Sequence, residues 1–422
     1  MTELLQIFTA EWAIRALLAS SMVGLMCGIL GCFIVLRNMS LIGDALSHAV
    51  LPGIFFAFIF FGYSTIGFFL GSTIAGLIAG ISISWIQQNV KTKNDAAIGI
   101  IFTAMFAIGV MGISWLNQSE GVHLDLKDFL FGNVLGISNE DIVLTAVVLL
   151  YTIVSILLFY RFLFITTFQA TIAETMGISP KRMHYFLMLL LSFAIVASLR
   201  TVGVILVVAM LITPAATALL LSDRLKTVVI ISGLIGVLSA VLGLVFSIVF
   251  QTTPGPAMTI VATLFYFLAV IFSPQKGLLF KYLQTRIEKQ RIMREDVLRQ
   301  IIKNPLDKGM TLTELSQRLN LSREKIKSIS QVMSRSRLLS TSNGLVFLSE
   351  EGIKKAEQLV RAHRLWETYQ VRQMGLSSDQ VHEAADLIEH FLSEELLDEI
   401  DSELGFPTRD PHNSPIPAKR MG

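Results

Sequence analysis

The feature that most limits how this chain can fold is a series of apolar runs near 13–36, 41–62, 66–87, 95–115, 140–161, 184–199, 200–221, 227–250 and 256–273, the sixth and seventh running together. About 30 Å of hydrocarbon takes roughly 20 helical residues to cross, and a spanning helix satisfies its own backbone groups. The runs therefore predict an all-α polytopic membrane protein of about nine spans. Hydrophobic residues make up 53% of the 422, and the mean hydropathy of +0.64 excludes both disorder and an ordinary soluble globule. The charges are unevenly placed: 44 of the 66 charged residues lie at 276–422, so the last third is a soluble domain. Arg37, Lys91, Lys93, Arg161, Lys181, Arg182, Arg224, Lys226, Lys276 and Lys281 fall on one side if the N-terminus is outside, with Arg15, Lys127 and Arg200 as exceptions. By the positive-inside rule that places the C-terminal domain in the cytosol.

Within the second span, GDALSHAVLPG (43–53) sets Asp44 and His48 four residues apart on one helix face. From Arg37 at the inner interface, the helical rise puts Asp44 roughly 10 Å and His48 roughly 16 Å into the bilayer. Ionisable groups at that depth are costly and commonly line a pathway or bind an ion. The bland alternative is a headgroup carboxylate beside a hydrogen-bonded core imidazole, and spacing alone leaves both open. Pro52 and Gly53 are expected to loosen the helix just beyond His48, and Thr213-Pro214 to interrupt the seventh span. Gly24 and Gly28, and Gly99 near Ala104, read as close helix packing. Cys27 and Cys32 lie on different faces of the first span, so neither a disulfide nor a thiolate metal site is expected. MTELLQIF has no basic n-region or small-residue cleavage site, so no removable signal peptide is expected. Glu120, His123, Asp125 and Asp128 sit in an outer loop, read as solvated rather than as a docking surface for a delivering partner.

Between spans five and six, FQATIAETMGISPKRM carries Ala173, Glu174 and Gly177 in a short amphipathic cytosolic segment whose small residues allow another protein close. The chain has no Gly-Lys dipeptide and hence no Walker A loop, so it binds no ATP itself. Its energy source is another subunit or an ion gradient.

Residues 1–274 resemble the permease subunit of ATP-binding-cassette importers for zinc, manganese and iron. The resemblance rests on GDALSHAVLPG, AAIGIIFTAMFAIGV (96–110), DFLFGNVLGIS (128–138), AETMGISP (173–180) and TVGVILVVAMLITPAATALLL (201–221), five motifs in order. It implies a homodimeric pore in a bacterial cytoplasmic membrane, an extracytoplasmic metal-binding protein that delivers the ion, and a cytosolic ATPase docking at Ala173, Glu174 and Gly177. It also implies that Asp44 and His48 are ligands of the transported ion.

In the cytosolic third, 276–293 reads as a basic, helix-compatible linker. Thr311 to Glu314 form a capping box that opens an amphipathic helix. Asn320, Leu321 and Ser322 make a turn, and a second helix follows with Arg323, Lys325 and Lys327 as candidate DNA contacts. LLSTSNGLVFLS (338–349) alternates around Asn343-Gly344, a hairpin signal. Helix, turn, helix and hairpin is the winged helix-turn-helix order. Fifteen Lys/Arg against six Asp/Glu across 276–337 suit nucleic-acid phosphates, or equally anionic lipid headgroups. Further on, His363 and Glu367 are four apart on one helix, and His382, Asp386, Glu389 and His390 share a face of the next. Carboxylate plus imidazole without thiolate suits Mn(II), Fe(II) or Zn(II), though a solvated acidic helix fits the same spacing.

Residues 294–417 resemble the diphtheria-toxin-repressor group of metal-dependent repressors, through RAHRLWE, VHEAADLIEH and PHNSPIP. That resemblance implies a winged helix (294–350) followed by a helical metal-binding and dimerisation domain (351–422), with His363, Glu367, His382, Asp386, Glu389 and His390 as ligands and Asp296 as a further one. One turn after Asp296 the manganese branch carries a carboxylate, whereas this chain carries Arg299. The expectation is a manganese or iron importer permease (1–275) fused to a metal-dependent repressor, the metal serving as cargo and co-repressor and DNA as a partner. Zinc as cargo, and a C-terminal domain that gates transport without binding DNA, are the competing readings. Membrane lipid competes with DNA for the basic stretch, so release by a cut between about 276 and 294 is expected.

Overall fold

A computed structural model describes residues 10–62, 64–119, 132, 136–305, 308–342 and 344–419. The outer loop with Glu120, His123, Lys127 and Asp128, the N-terminal 1–9 and Asn343 of the hairpin turn lie outside the described residues. The chain divides into two units, Met1–Lys281 and Tyr282–Gly422.

The first unit is a helix bundle: α1 (Glu11–Leu36), α2 (Ser40–Ala49), α3 (Leu51–Phe61), α4 (Thr65–Asn89), α5 (Asn94–Ser119), α6 (Asn139–Phe168), α7 (Ala170–Thr175), α8 (Pro180–Leu221), α9 (Leu225–Phe250) and α10 (Pro254–Phe272). Among the described residues nine stretches are long and apolar enough to cross a membrane, α2 with α3 forming one and α8 containing two. Each coincides with an apolar run to within a few residues, except that the fifth continues to Phe168. Outward faces carry large apolar side chains such as Leu157, Leu158, Ile66 and Phe60, the reverse of a water-soluble bundle. The inner faces are close-packed by Met26, Leu30, Phe33, Leu46 and Leu187.

Small residues let helices touch through their backbones. A Cβ added at Gly24 would lie 2.4 Å from the Gly236 carbonyl oxygen, and Ser232 Oγ donates to Gly28 O at 2.7 Å, locking α1 to α9. Gly99, by contrast, has open space where its side chain would be, so its expected packing role is not observed. Cys27 and Cys32 are buried free thiols. The second span breaks at Val50, two residues beyond His48, and Pro52 occupies the first turn of α3, where its missing N–H costs least. In α8 the helical backbone runs through Pro214 without interruption; the break lies at Gly203, whose φ of +79° separates the sixth span from the seventh. Glycine adopts a positive φ at no steric cost, while the helix accommodates at Pro214 both the missing N–H and the ring's contact with the preceding turn.

Helix α11 (Leu278–Ile302), most of which belongs to the second unit, makes the expected linker and the first helix of the winged fold one continuous element. Then come β1 (Met310–Thr311), α12 (Leu312–Leu319), α13 (Arg323–Arg335), β2 (Leu339–Ser342) and β3 (Leu345–Leu348). The capping box forms between Thr311 and Glu314, Asn320 takes the left-handed C-cap, and β2 and β3 pair antiparallel. Strand β1, too short to show a pattern, pairs with β3 and makes the order β1-β3-β2. Val297, Leu298, Leu315, Ile326, Met333 and Val346 form this core. The rest consists of α14 (Glu350–Arg372), α15 (His382–Ile388) and α16 (Glu394–Glu403), with a second core of Ala362, Leu365, Leu397 and Ile400.

Candidate functional site

In the bundle, His48 Nε2 stands 3.6 Å from Asp44 Oδ1, too far for a good hydrogen bond. Metal–ligand bonds near 2.1 Å place two donors of one ion about 3–3.4 Å apart, so the pair needs only a small closure to share a cation. Phe102 and Phe106 of α5 meet the imidazole edge-on at centroid distances of 5.3 and 5.4 Å. Two aromatic walls fix the ring and leave its nitrogens for polar partners. Sequence reading passed over these phenylalanines, although their spacing of four inside AAIGIIFTAMFAIGV was a visible signal. Asp44 is half-exposed and His48 mostly covered.

Between the fifth and sixth spans, α7 ends on Gly177, whose φ of +77° permits the Ile178 N–H to reach Ala173 O at 2.9 Å and close the helix. Ala173 is fully buried against its own chain, so it seats α7 rather than meeting another protein. The exposed side chains include Glu174, with Ile172 and Met176 each about half-exposed.

In the second unit the structure brings all seven sequence-predicted metal residues together, from α11, α14 and the α15 region. One group comprises His363, His382 and Asp386, the other Asp296, Glu389 and His390, with the donor atoms of each within 4.8 Å of one another. Glu367 completes the first: its Oε1 lies 2.8 Å from His382 Nδ1 and 3.1 Å from His363 Nε2. Nitrogen and carboxylate donors in these numbers fit a first-row divalent ion. Burial alone would raise the Glu367 pKa, but hydrogen bonds from His363 and His382 draw it down to about 2. Burial likewise opposes protonation of His390, yet Asp296 and Glu295 overcome it and raise the imidazole to about 9.

Three contributors were not anticipated. Glu295 Oε2 lies 2.8 Å from His390 Nδ1 and orients that ring. Arg299, noted in the sequence only as a departure, places Nη1 2.9 Å from Glu389 Oε1 and Nη2 2.5 Å from Asp386 Oδ1. His412, in the closing PHNSPIP, brings Nε2 to 4.0 Å from Glu367 Oε1. Its loop is held by Asp410, whose Oδ1 accepts from the backbone N–H of His412 and Ser414 at 2.9 and 2.8 Å. On α13, Arg323, Lys325 and Lys327 are all exposed while Ile326 and Met333 face the core, so this helix presents a basic outer side.

Residues 9–273 match the ABC 3 transport family, and residues 349–418 match the iron dependent repressor, metal binding and dimerisation domain. The chain is 44% identical over 285 residues to the manganese transport system membrane protein MntC of Halalkalibacterium halodurans, covering 68% of this chain and 95% of that one. Against the protein of the same name from Bacillus subtilis, identity is 33% over 376 residues, 87% of this chain and 85% of the relative, so that alignment runs into the second unit. Among solved structures, PsaBC from Streptococcus pneumoniae in complex with Fab superposes with a TM-score of 0.60 at 37% identity, covering 68% of this chain and 99% of that one. With nearly two thirds of its length matched as a single contiguous segment, the chain belongs to the ABC 3 transport family.

Proposed function

We propose that this chain is the permease of an ATP-driven importer of manganese, carrying at its C-terminus a metal-dependent repressor. The observation that carries the reading is the Asp44–His48 pair, set in the second span beside a helix break, in a chain whose relatives are named for manganese transport. Two donors are too few for a divalent ion, and a homodimeric pore would present the pair twice, giving two carboxylates and two imidazoles. An extracytoplasmic binding protein delivers the ion. A cytosolic ATPase engages α7 through Glu174, Ile172 and Met176, since the chain has no phosphate-binding loop of its own. The protein resides in the cytoplasmic membrane with its C-terminal unit in the cytosol, as the distribution of Lys and Arg supports.

The division of labour follows the segments: a permease over 1–275, a basic connecting segment over 276–293, a winged DNA-binding fold over 294–350 and a metal-binding, dimerising region over 351–422. Metal held by His363, Glu367 and His382 would tie α14 to α15, a region that Arg299 joins to α11, giving the winged fold one arrangement. Arg323, Lys325 and Lys327 then meet DNA phosphates. The test is reconstitution with the ATPase and measurement of ATP hydrolysis and uptake with manganese, iron and zinc in turn. Manganese should stimulate both; stimulation by zinc alone would reassign the cargo. Operator-independent, salt-insensitive behaviour of the second unit with DNA would remove the repressor role and leave a sensor that gates transport.

A further inference from the structure

The Arg299 guanidinium lies between the two groups of candidate metal ligands and is bonded to a member of each, Asp386 on one side and Glu389 on the other. Its side chain is 9% exposed and that of Glu389 is 0% exposed. Both carboxylates it holds therefore already share a cation built into the chain, which offsets one of their two negative charges. Both oxygens of Glu389 are already engaged: Oε1 meets Arg299, and Oε2 lies 2.7 Å from His363 Nδ1. On the far side only Asp296 and His390 remain, and the second nitrogen of His390 is taken by Glu295. The near side keeps His363 Nε2, Glu367 and His382 clustered within about one ion's coordination sphere, with His412 close behind.

We propose that Arg299 is a tethered cation standing in for a second metal ion, so that the C-terminal unit takes one divalent ion, at His363, Glu367 and His382. A guanidinium suits this position because its planar fork binds two carboxylates at once and it cannot lose its charge. Evicting it would leave a buried, unpaired cation, so an incoming ion goes where carboxylate and imidazole are already assembled. A further consequence is that α11 is joined to the α15 region by Arg299 whether or not metal is bound, so that metal adds to an existing link. This inference rests on the reading of the unit as a metal sensor.

The test uses the full chain in detergent, with manganese as the probe, measured by equilibrium dialysis and Mn(II) electron paramagnetic resonance. Arg299→Glu should bind one more ion per chain than the wild type, and its spectrum should gain the coupling of two ions about 4 Å apart. Arg299→Gln frees the same two carboxylates without adding a third and should take the extra ion more weakly, which keeps the test open if the glutamate variant misfolds. His363→Ala with His382→Ala should bind one ion per chain fewer than the wild type, whatever the membrane unit holds. A coupled pair already present in the wild type, or no gain in either Arg299 variant with helix content intact, overturns the inference. If the double His variant and the wild type hold equal manganese, the sensor reading itself falls.

Discussion

With metal removed, the second unit should lose stability as pH rises, and His390 sets the size of the effect. Its imidazole is 3% exposed, with Nδ1 at 2.8 Å from Glu295 and Nε2 at 3.5 Å from Asp296. These carboxylates raise its pKa from 6.5 to about 9. At 1.36 kcal/mol for each unit, the protonated ring contributes about 3 kcal/mol. Because the folded value lies above the unfolded one, this contribution is fully present below about pH 6.5 and is lost as pH climbs through about 9. The His363 pKa is also raised: burial opposes the charge, but Glu367 and Glu389 outweigh it, and its share is lost in the same direction. The assay is hydrogen exchange by mass spectrometry on the full chain in chelator, reading peptides of α15 and the C-terminal half of α11 and correcting for intrinsic exchange. Protection should fall by roughly two orders of magnitude across that window, and Glu295→Gln should flatten the dependence by removing one of the three stabilising carboxylates. Protection that is level, or that rises with pH in the wild type, would refute the ion-pair account.

Asp44→Asn or His48→Ala should abolish manganese uptake in proteoliposomes while dimer and complex assembly stay intact on gel filtration; normal uptake by either returns the pair to a structural role. Gly177→Val forces a branched residue into the left-handed region at a cost of about 1–2 kcal/mol, and with Glu174→Ala it should leave ATP hydrolysis running without transport. Lys325→Ala with Lys327→Ala should weaken DNA binding across all sequences and reduce the salt slope by about two. An antibody to the C-terminus should reveal a fragment cut between about 276 and 294 in addition to the full-length band. The only band being full-length in metal-replete and metal-starved cells would mean that regulation occurs while tethered.

The spans, the capping box at Thr311 and the β2–β3 hairpin are written locally. A bilayer demands a minimum apolar length, and a cap or a two-residue turn demands particular residues at fixed offsets, so a short window of sequence determines each. The pairs Asp44–His48 and His363–Glu367 are legible for the same reason, since four residues on a helix make neighbours. Other outcomes depended on what packs against what. Pro214 stays helical and Gly203 carries the break because a backbone can bend cheaply where φ is free to turn positive. Ala173 turns inward because α7 lies against α6 and α8. His48 is walled by phenylalanines more than fifty residues away, and Arg299 finds its carboxylates 87 and 90 residues downstream. No periodicity records such a meeting; a buried guanidinium binds whichever carboxylates the packed helices deliver, and only the tertiary structure decides that these are the very groups that would otherwise hold metal.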